Sequence, residues 1–154
     1  MTLEVDVQFA VDDVGLPTAG DITGWANAAW QGAEDPADIV VRISGEEESH
    51  RLNLEYRGMD KPTNVLSFPF DPVPEIEFHH VGDLVICAPI VASEAREQGK
   101  PVEAHWAHMV VHGVLHLQGF DHVRAHEADE MEALETLILT RLGYPAPYPE
   151  DDER

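Results

Sequence analysis

The chain has 154 residues and a formal net charge of −21 at pH 7. That length suits one domain able to bury a real core. Such acidity argues against a protein whose whole surface grips nucleic acid, because phosphate affinity comes from Lys and Arg releasing counterions. A single cysteine, Cys87, excludes an internal disulfide and fits a reducing compartment. The first residues lack the basic segment and apolar run of a signal peptide. No apolar stretch approaches the roughly 20 residues that a membrane helix needs, so a soluble, cytoplasmic protein is expected.

Leu3, Val5, Val7 and Phe9 alternate as a half-buried strand should. Thr18 with Asp21 three residues on reads as a helix start, and Ile22, Trp25, Ala26 and Ala29 form its apolar face. Ile39–Ile43 is a β-branched run and predicts a second strand. Ser44 followed by Glu47 predicts a capping box for a helix reaching Gly58, with Leu52 and Tyr56 four apart on it. Asn64–Phe68 and Gly82–Ala88 supply two more strands, and Asp71–Glu75 between them is too rich in proline to be regular.

Pro89 suits the first turn of a helix running to about Gly99, and Pro101 opens the next. Met131, Leu134, Leu137, Ile138 and Leu142 then recur at helical period until Gly143 and Pro145 stop the helix. The acidic, prolyl tail 147–154 is predicted to be disordered, which leaves one domain over 1–146. The fold class is α+β (mixed α/β), a roughly four-stranded sheet covered by helices. Trp25, Trp30 and Trp106 could stack bases, but core packing is the expectation for all three. Cys87 reads as a small apolar residue within a strand.

The penultimate helix carries the chemistry. His112 and His116 are four residues apart, so one helical face presents both imidazoles about 5–6 Å apart at Cβ. Gly119 can take the left-handed conformation that ends a helix, which would bring His122 back as a third ligand. Three neutral imidazoles leave the fourth tetrahedral position open, the layout of a catalytic zinc, although nickel or copper would also suit them. His105 and His108 share the stripe. His108 could pack or orient a ligand from the second shell, whereas His105 lies two turns from His112 and is too distant.

The spacing matches the zinc peptidases, in which His-Glu-x-x-His-x-x-Gly-x-x-His holds the metal and the glutamate is the base. Here Gly113 stands in the glutamate position, and glycine can neither polarise water nor move a proton. The metal layout survives, but the peptide chemistry lacks its base.

Residues 112–122, His-Gly-Val-Leu-His-Leu-Gln-Gly-Phe-Asp-His, resemble the hallmark of the YbeY family of bacterial endoribonucleases, departing only at Phe120, where tyrosine is usual. The block Asn53–Pro69 and the run Gly82–Ile86 are similar to two further family segments, with Asn64 in place of the usual aspartate. The resemblance implies an endoribonuclease of ribosomal RNA maturation, with single-stranded RNA as substrate and ribosomal proteins as candidate partners. It also implies one Zn²⁺ on His112, His116 and His122, and a catalytic or RNA-contacting role for Arg57. A guanidinium can clamp two oxygens of a phosphate whose charge grows during cleavage, although a solvated arginine at a helix C-terminus is the plain alternative. Lys61 is a candidate RNA contact. Asp121 is a candidate for capping the turn or orienting an imidazole, and Asp83 reads as a structural hydrogen-bonder.

Charge is unevenly spread. Residues 127–154 hold nine acids and two bases, whereas 51–70 hold three bases and two acids. A small electropositive cleft on an acidic body therefore fits the composition, with salt-sensitive RNA binding and a protein partner to assist it. Two other readings stand beside the nuclease: a zinc metallopeptidase-like hydrolase, and a non-catalytic ribosome-assembly factor with a structural zinc.

Overall fold

The computed structural model describes residues 3–32, 37–70, 80–120 and 125–148, with backbone alone at 125 and 126. Four strands form one sheet in the order β1-β2-β4-β3. They are β1 (Leu3–Phe9), β2 (Ala37–Ser44), β3 (Val65–Pro69) and β4 (His80–Cys87). β1, β2 and β4 run parallel, and β3 pairs antiparallel with β4 at the edge. Five helices complete the chain: α1 (Ala19–Ala29), α2 (Glu46–Arg57), α3 (Ala88–Gln98), α4 (Val102–Leu117) and α5 (Ala125–Arg141). The mixed sheet and its helices make the single α+β domain that the sequence predicted.

Strand alternation sorts the two sheet faces. Leu3, Ile39, Val41, Ile43, Leu84 and Ile86 are buried together with α1, α4 and α5 in one core. On the other face, Val40, Arg42, Phe68, Asp83 and Val85 line a groove of about 560 Å³ with Leu52 and Tyr56 of α2. Glu4 and Asp6 leave that face open beyond α2, since both are exposed.

Local signals hold at most helix ends. Thr18 and Asp21 form the expected capping box on α1. Gly58 and Gly99 close α2 and α3 in the left-handed conformation that a side chain would strain. Ser44 is a correction: it ends β2, its hydroxyl donates to the Gly45 carbonyl, and Gly45 caps α2 without a side-chain bond. The extended path needed by the β2–β4 ladder keeps Ser44 in the strand. The α2 face that packs inward is polar, because Ser49 and Asn53 bond the Thr63 and Lys61 carbonyls and fold the 59–64 loop back along the helix.

Trp25 and Trp106 lie in the core, as expected, and Trp30 is half-buried against it. Cys87 is buried. In α5 the inward stripe is Met131, Leu134, Ile138 and Leu139, whereas Leu137 and Leu142 are exposed. The irregular segment expected at 71–75 lies outside the described residues, as do 149–154 of the tail. Among the described residues, no helix is long and apolar enough to cross a membrane.

Candidate metal centre

α4 is the central helix of the covered face, and two glycines let it approach the sheet. A Cβ on Gly113 would meet Leu84 Cδ2 at 2.8 Å, and one on Gly82 would meet Leu117 Cδ2 at 2.7 Å. One residue turns a helix by about 100°, so with Gly113 against β4 its neighbour His112 points along the flank of α4. The flank stripe is a row of imidazoles. Ring centroids lie 6.2 Å apart for His105–His108, 6.1 Å for His108–His112 and 4.6 Å for His112–His116.

α4 ends as its sequence requires. Gly119 has φ of +99°, its N–H donates to the His116 carbonyl, and the Phe120 N–H reaches back to the Leu115 carbonyl. The chain thus turns directly after His116. His122 and Asp121 lie outside the described residues.

Opposite the imidazoles stands Glu135 of α5, almost wholly buried. Its Oε2 accepts a hydrogen bond from His112 Nδ1 at 2.5 Å. Its Oε1 accepts from the Tyr148 hydroxyl at 2.6 Å, with His108 Nε2 more distant at 3.4 Å. Burial works against the charge of Glu135. Bonds from His108 and His112, the His112 charge and the Tyr148 hydroxyl outweigh that burial and hold the carboxyl down at about 2. Burial first, and then the Glu135 bond and charge, push the Tyr148 phenol well above its ordinary value. His108, His112 and Glu135 each offer a donor atom within 4.8 Å of the others, so this group could hold a metal ion.

The remaining predicted residues are placed as follows. His105 is outside the group, and its Nε2 bonds Glu94 at 2.8 Å, whose carboxylate also accepts from Asn64 Nδ2. Burial pulls the His105 pKa down, and the Glu94 bond does not fully restore it. Asn64 therefore serves a histidine–carboxylate pair at the α3–α4 junction. Arg57 is the exposed last residue of α2, and among the described residues no carboxylate pairs with its guanidinium. Lys61 is exposed too. Asp83 accepts from His80 Nε2 at 2.8 Å, the structural role expected of it.

Sequence reasoning missed Glu135 and Tyr148. One signal was present: Glu135 falls four residues after Met131 and three before Ile138, so an acid occupies the apolar stripe of α5. Nothing local to Tyr148 could reveal its partner, which lies 13 residues back on another element.

A row of imidazoles backed by a buried carboxylate on an α+β domain is an arrangement that could hold a metal ion. The family model for the endoribonuclease YbeY matches residues 20–143 of the chain. The chain belongs to that family, and membership implies a hydrolase that cuts RNA in ribosomal RNA processing. The solution structure of TM1509 from Thermotoga maritima is similar in fold, with a TM-score of 0.59 and 22% identity, over 97% of this chain and 99% of that one.

Proposed function

We propose that this protein is a zinc-dependent endoribonuclease that cuts single-stranded RNA in the maturation and quality control of ribosomal RNA, acting in the cytoplasm. The observation that carries the reading is the pair His112 and His116, 4.6 Å apart at the turn made by Gly119. With Nδ1 engaged by Glu135, Nε2 is the nitrogen that His112 offers an ion. A nitrogen donor set of His112, His116 and His122 fits zinc. When bound, the ion supplies Lewis-acid activation of water and a counter-charge for phosphate oxygens.

The chain's own residues do the rest. Arg57, on an exposed helix end, clamps the non-bridging oxygens as their charge grows, and Lys61 adds a point charge that draws the backbone in. Glycine at 113, against the sheet, leaves the site without the peptidase base, which is why RNA and not peptide is the assigned substrate. The acidic body limits general affinity for RNA, so docking on ribosomal protein would supply what charge does not.

Cleavage of a labelled single-stranded ribosomal RNA fragment tests the reading. Cutting by the zinc-loaded protein should be lost in His116→Ala together with the metal. It should be lost in Arg57→Ala with the metal retained. Absence of cutting by a protein that holds zinc would favour the assembly-factor reading, and a melting temperature that collapses on chelation would support it further.

A further inference from the structure

A charged carboxylate persists among apolar side chains only when its oxygens are bonded. Glu135 lies between Met131 and Leu139, all three no more than 1% exposed. Each of its oxygens has a close donor: His112 Nδ1 at 2.5 Å on one, the Tyr148 hydroxyl at 2.6 Å on the other. Two ligands of a tetrahedral zinc, each about 2.0–2.1 Å from the ion, stand about 3.3 Å apart. The His112–Glu135 contact is shorter than that, so it is a hydrogen bond, with no room for an ion between the two atoms.

We propose that Glu135 is a positioning residue for the metal centre and that Tyr148 is the latch that holds Glu135 in place. The inference rests on His112 and His116 being metal ligands, as argued above. The carboxylate fixes the His112 tautomer with the proton on Nδ1 and sets one ring orientation. An imidazole held this way is the more basic ligand at Nε2. Tyr148 in turn fixes the carboxylate. The chain reaches it after α5 closes at Gly143, whose φ is +97°, through Pro145 and Pro147. The segment just beyond the last helix is thus built into the support of the site, although it contributes no ligand.

Zinc affinity, measured by competition with a chromophoric chelator, tests this without recourse to activity. The variants are Glu135→Gln, Tyr148→Phe, the double variant and His116→Ala, with the cobalt(II) absorption spectrum as a report on ligand geometry. Glu135→Gln should still bind one ion but about 10–100-fold more weakly, the usual effect of removing such a partner, and its cobalt bands should shift. Tyr148→Phe should weaken binding by a smaller factor, and the double variant should be no weaker than Glu135→Gln, since both act through one carboxylate. His116→Ala should lose the ion.

Wild-type affinity in Glu135→Gln overturns the proposal, as does a double variant in which the two losses simply add. Loss of the ion from Glu135→Gln with its retention in His116→Ala makes Glu135 a ligand. That result overturns both this proposal and the ligand set beneath it, and so differs from a Glu135→Gln variant that matches wild type. Should Glu135→Gln fail to fold, Tyr148→Phe carries the test, and unchanged affinity there sinks the latch.

Discussion

Gly113 lies so close to Leu84 that a Cβ added to it would stand 2.8 Å from Leu84 Cδ2 and 3.0 Å from Cδ1. Leu84 is fully buried, so its side chain has little space to yield. The contact explains why glycine follows the first histidine where zinc peptidases carry glutamate: this position faces the sheet. Overpacking should cost about 1–3 kcal/mol, and better helix propensity should return about 1 kcal/mol. Gly113→Ala should therefore lower stability by about 1 kcal/mol in urea unfolding. Gly113→Glu should lower it by several times as much, because the carboxylate would be buried unpaired. A stabilised Gly113→Ala would show that α4 does not ride on β4 at this point.

Asn64 is matched to Glu94. Its amide donates to both carboxylate oxygens at 3.2 Å while His105 Nε2 bonds one of them at 2.8 Å. Asn64→Asp, which introduces the residue usual in the family segment that 53–69 resembles, would replace a donor with a second negative charge. The expected loss is about 1–3 kcal/mol, read by urea unfolding at neutral pH. A variant as stable as the parent protein would mean that the Asn64 amide does not hold this junction.

His80 joins the beginnings of β2 and β4, bonding Asp38 at 2.5 Å through Nδ1 and Asp83 at 2.8 Å through Nε2. Burial disfavours its charged form, but the bonds to Asp38 and Asp83 and their charges outweigh burial and raise its pKa above 6.5. A folded value above the unfolded one gives stabilisation that is complete below about pH 6.5 and is lost as pH climbs through the folded value. His80→Gln should therefore lower the melting temperature more at about pH 5.5 than at about pH 9. The same loss at both would assign the effect to packing on Phe70, whose ring meets His80 edge-on at 5.6 Å.

Salt dependence measures how much of the RNA grip is cationic. With Arg57 and Lys61 as the phosphate contacts, the slope of log affinity against log salt should be about −1.4 for a single strand, from roughly 0.7 per contact. Arg57→Ala should reduce that slope by about half. Fluorescence anisotropy of a labelled single strand with zinc-incubated protein at several salt concentrations would check it. A slope steeper than about −4 would require a basic surface far larger than this pair.

Local chemistry made much of the fold legible. The strand alternation of Leu3–Phe9, the Thr18–Asp21 capping box, the left-handed Gly58, Gly99 and Gly119, and the pairing of His112 with His116 all depend on residues a few positions apart. Ser44 was misread because its place in the β2 ladder outweighs a local capping signal. Leu137 shares the helical period of the α5 stripe and is nonetheless exposed, because period alone does not say which edge of a broad apolar stripe faces the core.

The sequence by itself determined the order of elements, the imidazole stripe and the family to which they belong, since each is written in spacing along the chain. Only the tertiary structure decided that Gly113 makes room for Leu84, that Asn64 serves Glu94, and that Glu135 and Tyr148 stand behind His112. Those relationships join residues 13 to 30 positions apart. No local propensity encodes them, because they arise only when burial brings α4 against the sheet and α5 against α4.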